Sequence, residues 1–311
     1  THCISSAASD VYKRQIYKSC QELPLGMIRI YPSEMDLGIT IHLTDWCIDI
    51  RELAIEAEAR GFSSVFIPEH SHIPSSQKTP VPAVSGIASE DYPRLPDPLV
   101  SLAAAASVTT KIRLGTGVLL VAQHNPINLA KGTSTLDTIS DGRFEMGVGY
   151  GWNREEMLHH GVDFSTRRER VRETMLAVKE LWTKEEAEFH GEFVDFESSW
   201  MWPKPVQKNG PRIMLGGAPG PTIFNHIAEF GNGWMPIGGS GVKASLPELK
   251  KICESKDRDF SEISIVPFGT VPEKEKLNYF EELGVNEVIL RVPAGTREEV
   301  LKTLDSYREF F

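Results

Sequence analysis

The sequence predicts a (β/α)8 barrel, an α/β fold of eight parallel strands ringed by helices. Three observations predict it. From Met35 onward, eight short runs rich in Val, Ile, Leu, Met and Phe recur along the chain, as strands buried on both faces require. An amphipathic helical pattern follows each run, and strict strand–helix alternation builds a parallel sheet covered by helices. The first strand-to-helix turn, Thr40 to Asp49, carries no G-x-G-x-x-G, which disfavours the alternative, a doubly wound open sheet.

The eight strands are read as Asp36–Ile41, Ser63–Pro68, Ile112–Leu120, Arg143–Gly149, Arg212–Gly217, Gly233–Gly238, Ile263–Thr270 and Glu287–Val292. The helices between them are read as Ile48–Arg60, Pro98–Thr109, Asn128–Ser140, Val171–Leu181, Thr222–Phe230, Leu246–Glu254, Glu273–Leu283 and Arg297–Phe310. Gly61, Gly231 and Gly284 stand where helices stop, and Asp141-Gly142 is a turn signal. The long connection, Tyr150 to Pro211, is an insertion between strands four and five. Within it, Glu188–Glu197 alternates around His190-Gly191 and predicts a small hairpin.

Composition narrows the functional classes. The 311 residues carry 33 basic against 43 acidic side chains, a net charge of −10, and a nucleic-acid binder would show the opposite balance. With 41% hydrophobic and 24% charged residues the chain resembles an average globular protein with a sizeable core. No apolar run has the length of a membrane helix. The four cysteines, at 3, 20, 47 and 253, have no C-x-x-C spacing. A disulfide scaffold or zinc ribbon is thereby disfavoured, and a reducing, cytoplasmic compartment is expected. Residues 1–34 read differently from the rest, with poor apolar periodicity and no signal-peptide core. They are expected to be a disordered or non-native N-terminal extension, with the natural start at Met35 or Met27, ahead of a single domain at 35–311.

A barrel active site lies at the carboxyl ends of its strands. Strand two ends in Glu69-His70-Ser71-His72, which is open to three readings: metal ligands, an ordinary polar strand end, or contact with an organic ligand. No H-E-x-x-H is present, and zinc needs three or four converging ligands. Strand three holds Gly115 and Gly117, which imply either a bulge near a ligand or tight packing inside the barrel. Strand four ends in Gly147-Val-Gly-Tyr-Gly-Trp-Asn153, either a backbone approach to a flat ligand walled by Trp152 or a tight turn. Strand five ends in Gly216-Gly-Ala-Pro-Gly-Pro-Thr222 and runs directly into a helix. Free amides at a helix start attract phosphate, although Pro219 and Pro221 remove two donors. Together these strand ends imply a flat, phosphate-bearing cofactor.

The chain resembles the luciferase-like monooxygenases, a flavin and deazaflavin barrel superfamily, and within it the F420-dependent oxidoreductases of actinobacterial type. The matching stretches are Val65-Phe-Ile-Pro-Glu-His-Ser-His-Ile-Pro74, Ile112-Arg-Leu-Gly-Thr-Gly-Val118, Leu136-Asp-Thr-Ile-Ser-Asp-Gly-Arg-Phe144, Gly147 to Glu156, Phe189-His-Gly-Glu-Phe193 with Trp202-Pro-Lys-Pro-Val-Gln207, and Gly231-Asn-Gly-Trp-Met235. They span nearly all of residues 35–240; residues 241–311 match only as generic final barrel elements. The resemblance implies a ring lying across the barrel mouth, over a non-prolyl cis peptide at Gly117–Val118. His70 would stand near the reactive ring edge. Gly149, Tyr150, Gly151, Trp152 and Asn153 would line the ring and its tail, with Gly216, Gly217, Ala218 and Pro219 near the phosphate or ribityl chain. One departure matters: a related sugar-phosphate dehydrogenase has a carboxylate proton donor where this chain has Trp152. That puts the same sugar in doubt and leaves Glu69, His42 and His72 as candidate donors.

The function so implied is hydride transfer between coenzyme F420, a deazaflavin, and a small organic substrate, with His70 and Glu69 as candidate catalytic residues. Alternatives are an FMN-dependent two-component monooxygenase fed by a separate reductase, a non-catalytic flavin-binding barrel, and a metal-dependent hydrolase. The resemblance also implies a homodimer, by analogy. The segment Ile73–Pro96 and the Trp200–Trp202 segment are expected to shape the mouth, with the two tryptophans either capping an apolar pocket or packing their loop.

Overall fold

The computed structural model describes residues 35–81, 88–239 and 241–311. The expected N-terminal extension, 1–34, and part of the segment Ile73–Pro96 lie outside the described residues. The strands are β1 (Asp36–Ile41), β2 (Ser64–Ile67), β3 (Arg113–Thr116), β4 (Phe144–Val148), β5 (Ala187–His190), β6 (Asp195–Ser199), β7 (Arg212–Gly216), β8 (Gly233–Met235), β9 (Ser264–Ile265), β10 (Phe268–Thr270) and β11 (Glu287–Val292). The helices are α1 (Ile50–Ala59), α2 (Pro98–Ala106), α3 (Pro126–Ile139), α4 (Arg154–His159), α5 (Arg167–Thr183), α6 (Pro221–Phe230), α7 (Val242–Ser255), α8 (Lys274–Glu282) and α9 (Arg297–Tyr307).

Nine parallel strands bond in the order β10-β11-β1-β2-β3-β4-β7-β8-β9. The two ends of that ladder, β9 and β10, are halves of one stretch divided at Val266-Pro267. The sheet therefore closes on itself as the eight-stave barrel the sequence predicts. Several predicted strands are shorter than read, and in two of them the ladder breaks inside the predicted run. The third breaks after Thr116 at a cis Gly117–Val118 peptide and makes one further bridge, Leu119 to Val148. The seventh splits because Pro267 has no N–H to give the ladder, though its carbonyl still accepts from Ile289 N–H at 2.9 Å. β5 and β6 form the predicted hairpin. Glu173 on α5 holds it by accepting the amides of Glu192, Phe193 and Val194.

Alternation along the strands stacks the barrel interior in layers. The base is polar. Arg113 reaches Glu287 at 2.6 Å, Arg212 reaches Glu145 at 2.8 Å, and Ser64 donates to Glu287 at 2.6 Å. Burial and the neighbouring Glu287 carboxylate push the Glu145 pKa up, against the pull of Arg212 and Arg113. Above it lie Phe66, Met214, Met235, Val266 and Ile289, with Phe268 against them. Outside the barrel a larger apolar shell joins strands to helices. The loops beneath are strapped to the base. Arg143 donates to the carbonyls of Ala106, Thr109, Ile112 and Ser140, and Asp137 accepts from both the amide and the side chain of Gln207.

That strap corrects one expectation. The Trp200–Gln207 segment does not reach the mouth. It runs along the outside of α3, where Lys131 donates to the Trp202 carbonyl and Ser134 to the Pro203 carbonyl, and on to the base. Trp200 and Trp202 are 76% and 59% exposed and cap no pocket at the mouth; Trp202 packs against the Lys204 ammonium of its own loop, 5.3 Å from its ring centroid.

Glycine spacing in the wall is steric. A Cβ on Gly147 would stand 2.0 Å from the Thr116 carbonyl oxygen, a backbone atom, whereas one on Gly132 in α3 would meet nothing nearer than 3.6 Å. Gly147→Ala is expected to lower stability by about 1–3 kcal/mol, the usual range for forced overpacking. Gly132→Ala should be neutral or stabilising by up to about 1 kcal/mol through helix propensity. Urea unfolding of the two variants beside the parent checks both.

Candidate functional site

The mouth is built from the carboxyl ends of β2, β3, β4 and β7. Its floor is Val118. A Cβ on Gly149 would fall 2.2 Å from one Val118 methyl, and one on Gly216 would fall 2.6 Å from the other. The two glycines leave the room in which the half-buried Val118 side chain lies, at the carboxyl ends of β4 and β7. The glycines of β3 have the blander purpose. The space beside Gly115 is taken by the Phe66 ring and that beside Gly117 by the Phe268 ring.

His70 stands at the end of β2, next to this floor, with its side chain 6% exposed. Its Nδ1 lies 2.7 Å from Glu156 Oε2, and the Trp152 indole Nε1–H donates to its Nε2 at 3.2 Å. Indole nitrogen only donates and an ionised carboxylate only accepts. The bonds thus direct Nδ1 to the carboxylate and make Nε2 the acceptor of the indole proton. Around it His42, Tyr92 and Trp152 form an aromatic cluster, with ring centroids 5.1 Å (His42–Tyr92), 5.3 Å (His70–Tyr92) and 5.9 Å (Tyr92–Trp152) apart. Burial, aided by Arg291, lowers the His42 pKa.

Glu156 is the residue the sequence reading missed. Asn153 and Glu156 have the spacing of a helix-capping pair. Asn153 does cap α4, accepting the Glu156 N–H at 3.0 Å. The Glu156 carboxylate does not return that bond. It is wholly buried and turned to His70 and to the Ser71 N–H, 3.0 Å away. A buried acid in a capping pattern beside a glycine-rich strand end was the available signal.

Glu69 faces away from the floor. Its carboxylate accepts the Leu120 amide at 2.5 Å and lies 2.8 Å from His124 Nε2. It thereby fastens the chain that leaves the broken third strand. His72 lies on the rim, 2.9 Å from Ser71 Oγ and 2.8 Å from His159. Among the described residues no three His, Cys, Asp or Glu side chains are arranged to hold a metal ion.

On the far side, Tyr150 meets His226 Nδ1 at 2.8 Å and so ties the end of β4 to α6. Burial raises the tyrosine pKa and lowers that of the histidine, which keeps both neutral and makes the phenol the donor. Gly151, at φ +73°, turns the chain toward Trp152. At the end of β7 the Gly217 amide and carbonyl are used by Met235 and Trp234. The amides of Ala218, Gly220, Thr222 and Ile223 have no partner among the described residues, and a Cβ on Gly220 would meet nothing within 4 Å. Free amides and open space at a helix start suit an anion.

The chain matches the luciferase-like monooxygenase family over residues 47–276. It belongs to that family. An uncharacterised protein of Mycobacterium tuberculosis H37Rv, Rv0953c, is 40% identical over 85% of this chain and 94% of its own length. The F420-dependent glucose-6-phosphate dehydrogenase of Kineococcus radiotolerans is 29% identical over 69% of this chain and 60% of its own length. Among solved structures, an F420-dependent secondary alcohol dehydrogenase with an F420-acetone adduct superposes with a TM-score of 0.70 at 17% identity, covering 89% of this chain and 98% of that one. An FMN-bound oxygenating constituent of 3,6-diketocamphane monooxygenase from Pseudomonas putida gives 0.60 at 18%, covering 80% and 74%. These two structures show the shared fold. No helix among the described residues is long and apolar enough to cross a membrane.

The strap behind the site has a pH signature. Burial alone would lower the His124 pKa, but the hydrogen bond and charge of Glu69 outweigh it and hold the pKa above the ordinary histidine value. A raised folded-state pKa stabilises fully below the unfolded value and loses that contribution as pH rises through the folded value. Thermal melts should therefore show His124→Gln destabilising the protein more at about pH 5.5 than at about pH 8.5.

Proposed function

We propose that the protein is a coenzyme F420-dependent oxidoreductase that moves a hydride between the deazaflavin and a small organic substrate. One observation carries the reading: the His70 imidazole is held at Nδ1 by a buried carboxylate, at the mouth where Val118 lies between two glycines. A planar ring would rest on Val118, whose methyls fill the side-chain space of Gly149 and Gly216. A phosphate-bearing tail fits the four free amides at the start of α6. The likeness to the F420-dependent dehydrogenase of Kineococcus supports deazaflavin over FMN.

When bound, the coenzyme would give or take a hydride at its ring carbon, two-electron chemistry that the protein itself lacks. The chain's own residues do the rest. Gly117 and Val118 set the height of the ring, and Ala218, Gly220, Thr222 and Ile223 would hold the tail. His70 Nε2 takes the proton of a substrate hydroxyl as its C–H hydride leaves, or returns it in the reverse direction. Glu156, held on Nδ1–H, stabilises the imidazolium so formed. Trp152 must surrender its bond to Nε2 for the hydroxyl to reach that nitrogen. Glu69 is then a positioning residue, since its oxygens hold Leu120 and His124.

Calorimetric titration of the protein with coenzyme F420 and with FMN tests this. The deazaflavin should bind more tightly, and His70→Ala should weaken it at least tenfold, roughly 1.4 kcal/mol. Equal or tighter FMN binding would overturn the choice of coenzyme, and unchanged binding by the variant would remove His70 from the ring.

A further inference from the structure

A cleft of about 500 Å3 opens at the carboxyl ends of β1, β10 and β11, walled by Trp46, Val271, Ala294 and Tyr307, with Asp91 and Arg291 in its lining. It adjoins the histidine site. Asp91 lines the cleft, and the next residue, Tyr92, places its ring 5.3 Å from that of His70.

Arg291 distinguishes this cleft. Glu287, Ile289 and Arg291 alternate onto the inner face of β11. Glu287 belongs to the ion-paired base and Ile289 to the apolar layer above it. Arg291 thus projects into the mouth, level with Thr40 on β1. The other arginines on the inner wall, Arg113 and Arg212, are paired with carboxylates. Arg291 makes no ion pair among the described residues and is exposed to solvent. An unpaired cation and aromatic walls together describe a receptor for something polar at one end and apolar along its body.

We propose that this cleft is the substrate subsite and that it selects an organic monocarboxylate, with the carboxylate on Arg291 and the apolar body along Trp46 and Val271. Arg291 offers the planar fork that matches a carboxylate. Asp91 in the same lining leaves the cleft with no net positive charge, which disfavours a dianionic phosphate. The inference rests on the reading of His70 as the proton-handling group, because the substrate carbon must reach from the cleft toward that ring. It departs from the sugar phosphate acted on by the Kineococcus relative.

The test uses the full chain without coenzyme, so that it stands apart from the coenzyme titration. Benzoate, its neutral isostere benzamide and the dianion phenyl phosphate are titrated by saturation-transfer NMR and calorimetry. Benzoate should bind at least fivefold more tightly than either of the others. Arg291→Gln should remove that preference while leaving benzamide unchanged, and Arg291→Lys should keep part of it. Absence of benzoate binding, equal binding of benzamide, preference for phenyl phosphate, or an unaltered preference in Arg291→Gln would each overturn the proposal. Failure of coenzyme F420 to bind would sink the hydride-transfer reading without touching this result.

Discussion

The site depends on one steric exchange in the barrel wall. Val118 can hold its place at the mouth only because Gly149 and Gly216 give it their side-chain space. A methyl on either glycine would displace Val118. Close-packed interiors do not absorb such a change by slight adjustment. The floor also fixes its surroundings. The third strand stops bonding as a regular ladder where the chain turns to present Val118, and Glu69 then catches the outgoing chain at Leu120.

The barrel is divided by chemistry along its axis. Its base holds paired charges, its middle holds apolar side chains, and its mouth holds histidine, aromatic rings and open backbone. Breaking one partner of a buried ion pair costs roughly 3–5 kcal/mol, so the base is a poor place for change. Within the mouth, His70 is held from both sides, by Glu156 on Nδ1 and by Trp152 on Nε2. The first bond fixes the tautomer. The second occupies the nitrogen that the proposed proton transfer would use, so on that proposal Trp152 must move for the substrate to enter.

Much of the fold was legible in the sequence because buried parallel strands must be short, apolar and separated by helices. The eight staves and the strand ends that form the mouth follow from that rule, and the hairpin from the alternation around His190-Gly191. Periodicity did not reveal where ladders fail. The break at Gly117–Val118 was expected only from the family resemblance, and the split at Pro267 went unread inside an apolar run. For the site, His70 was visible as a polar residue at a strand end. Glu156 was hidden by a local pattern that a helix cap explains equally well, since which way a carboxylate turns is decided by tertiary neighbours. Trp200 and Trp202 misled for the same reason. Large apolar side chains read as buried, while the strap of Gln207 to Asp137 draws their segment along the outer surface.

The account stands on a flat ring resting on Val118. Methyl-labelled protein observed by proton–carbon NMR while coenzyme F420 is added reports this directly. A ring stacked above those methyls should move both Val118 resonances upfield in step with saturation. Saturable binding that leaves the Val118 resonances in place would contradict it.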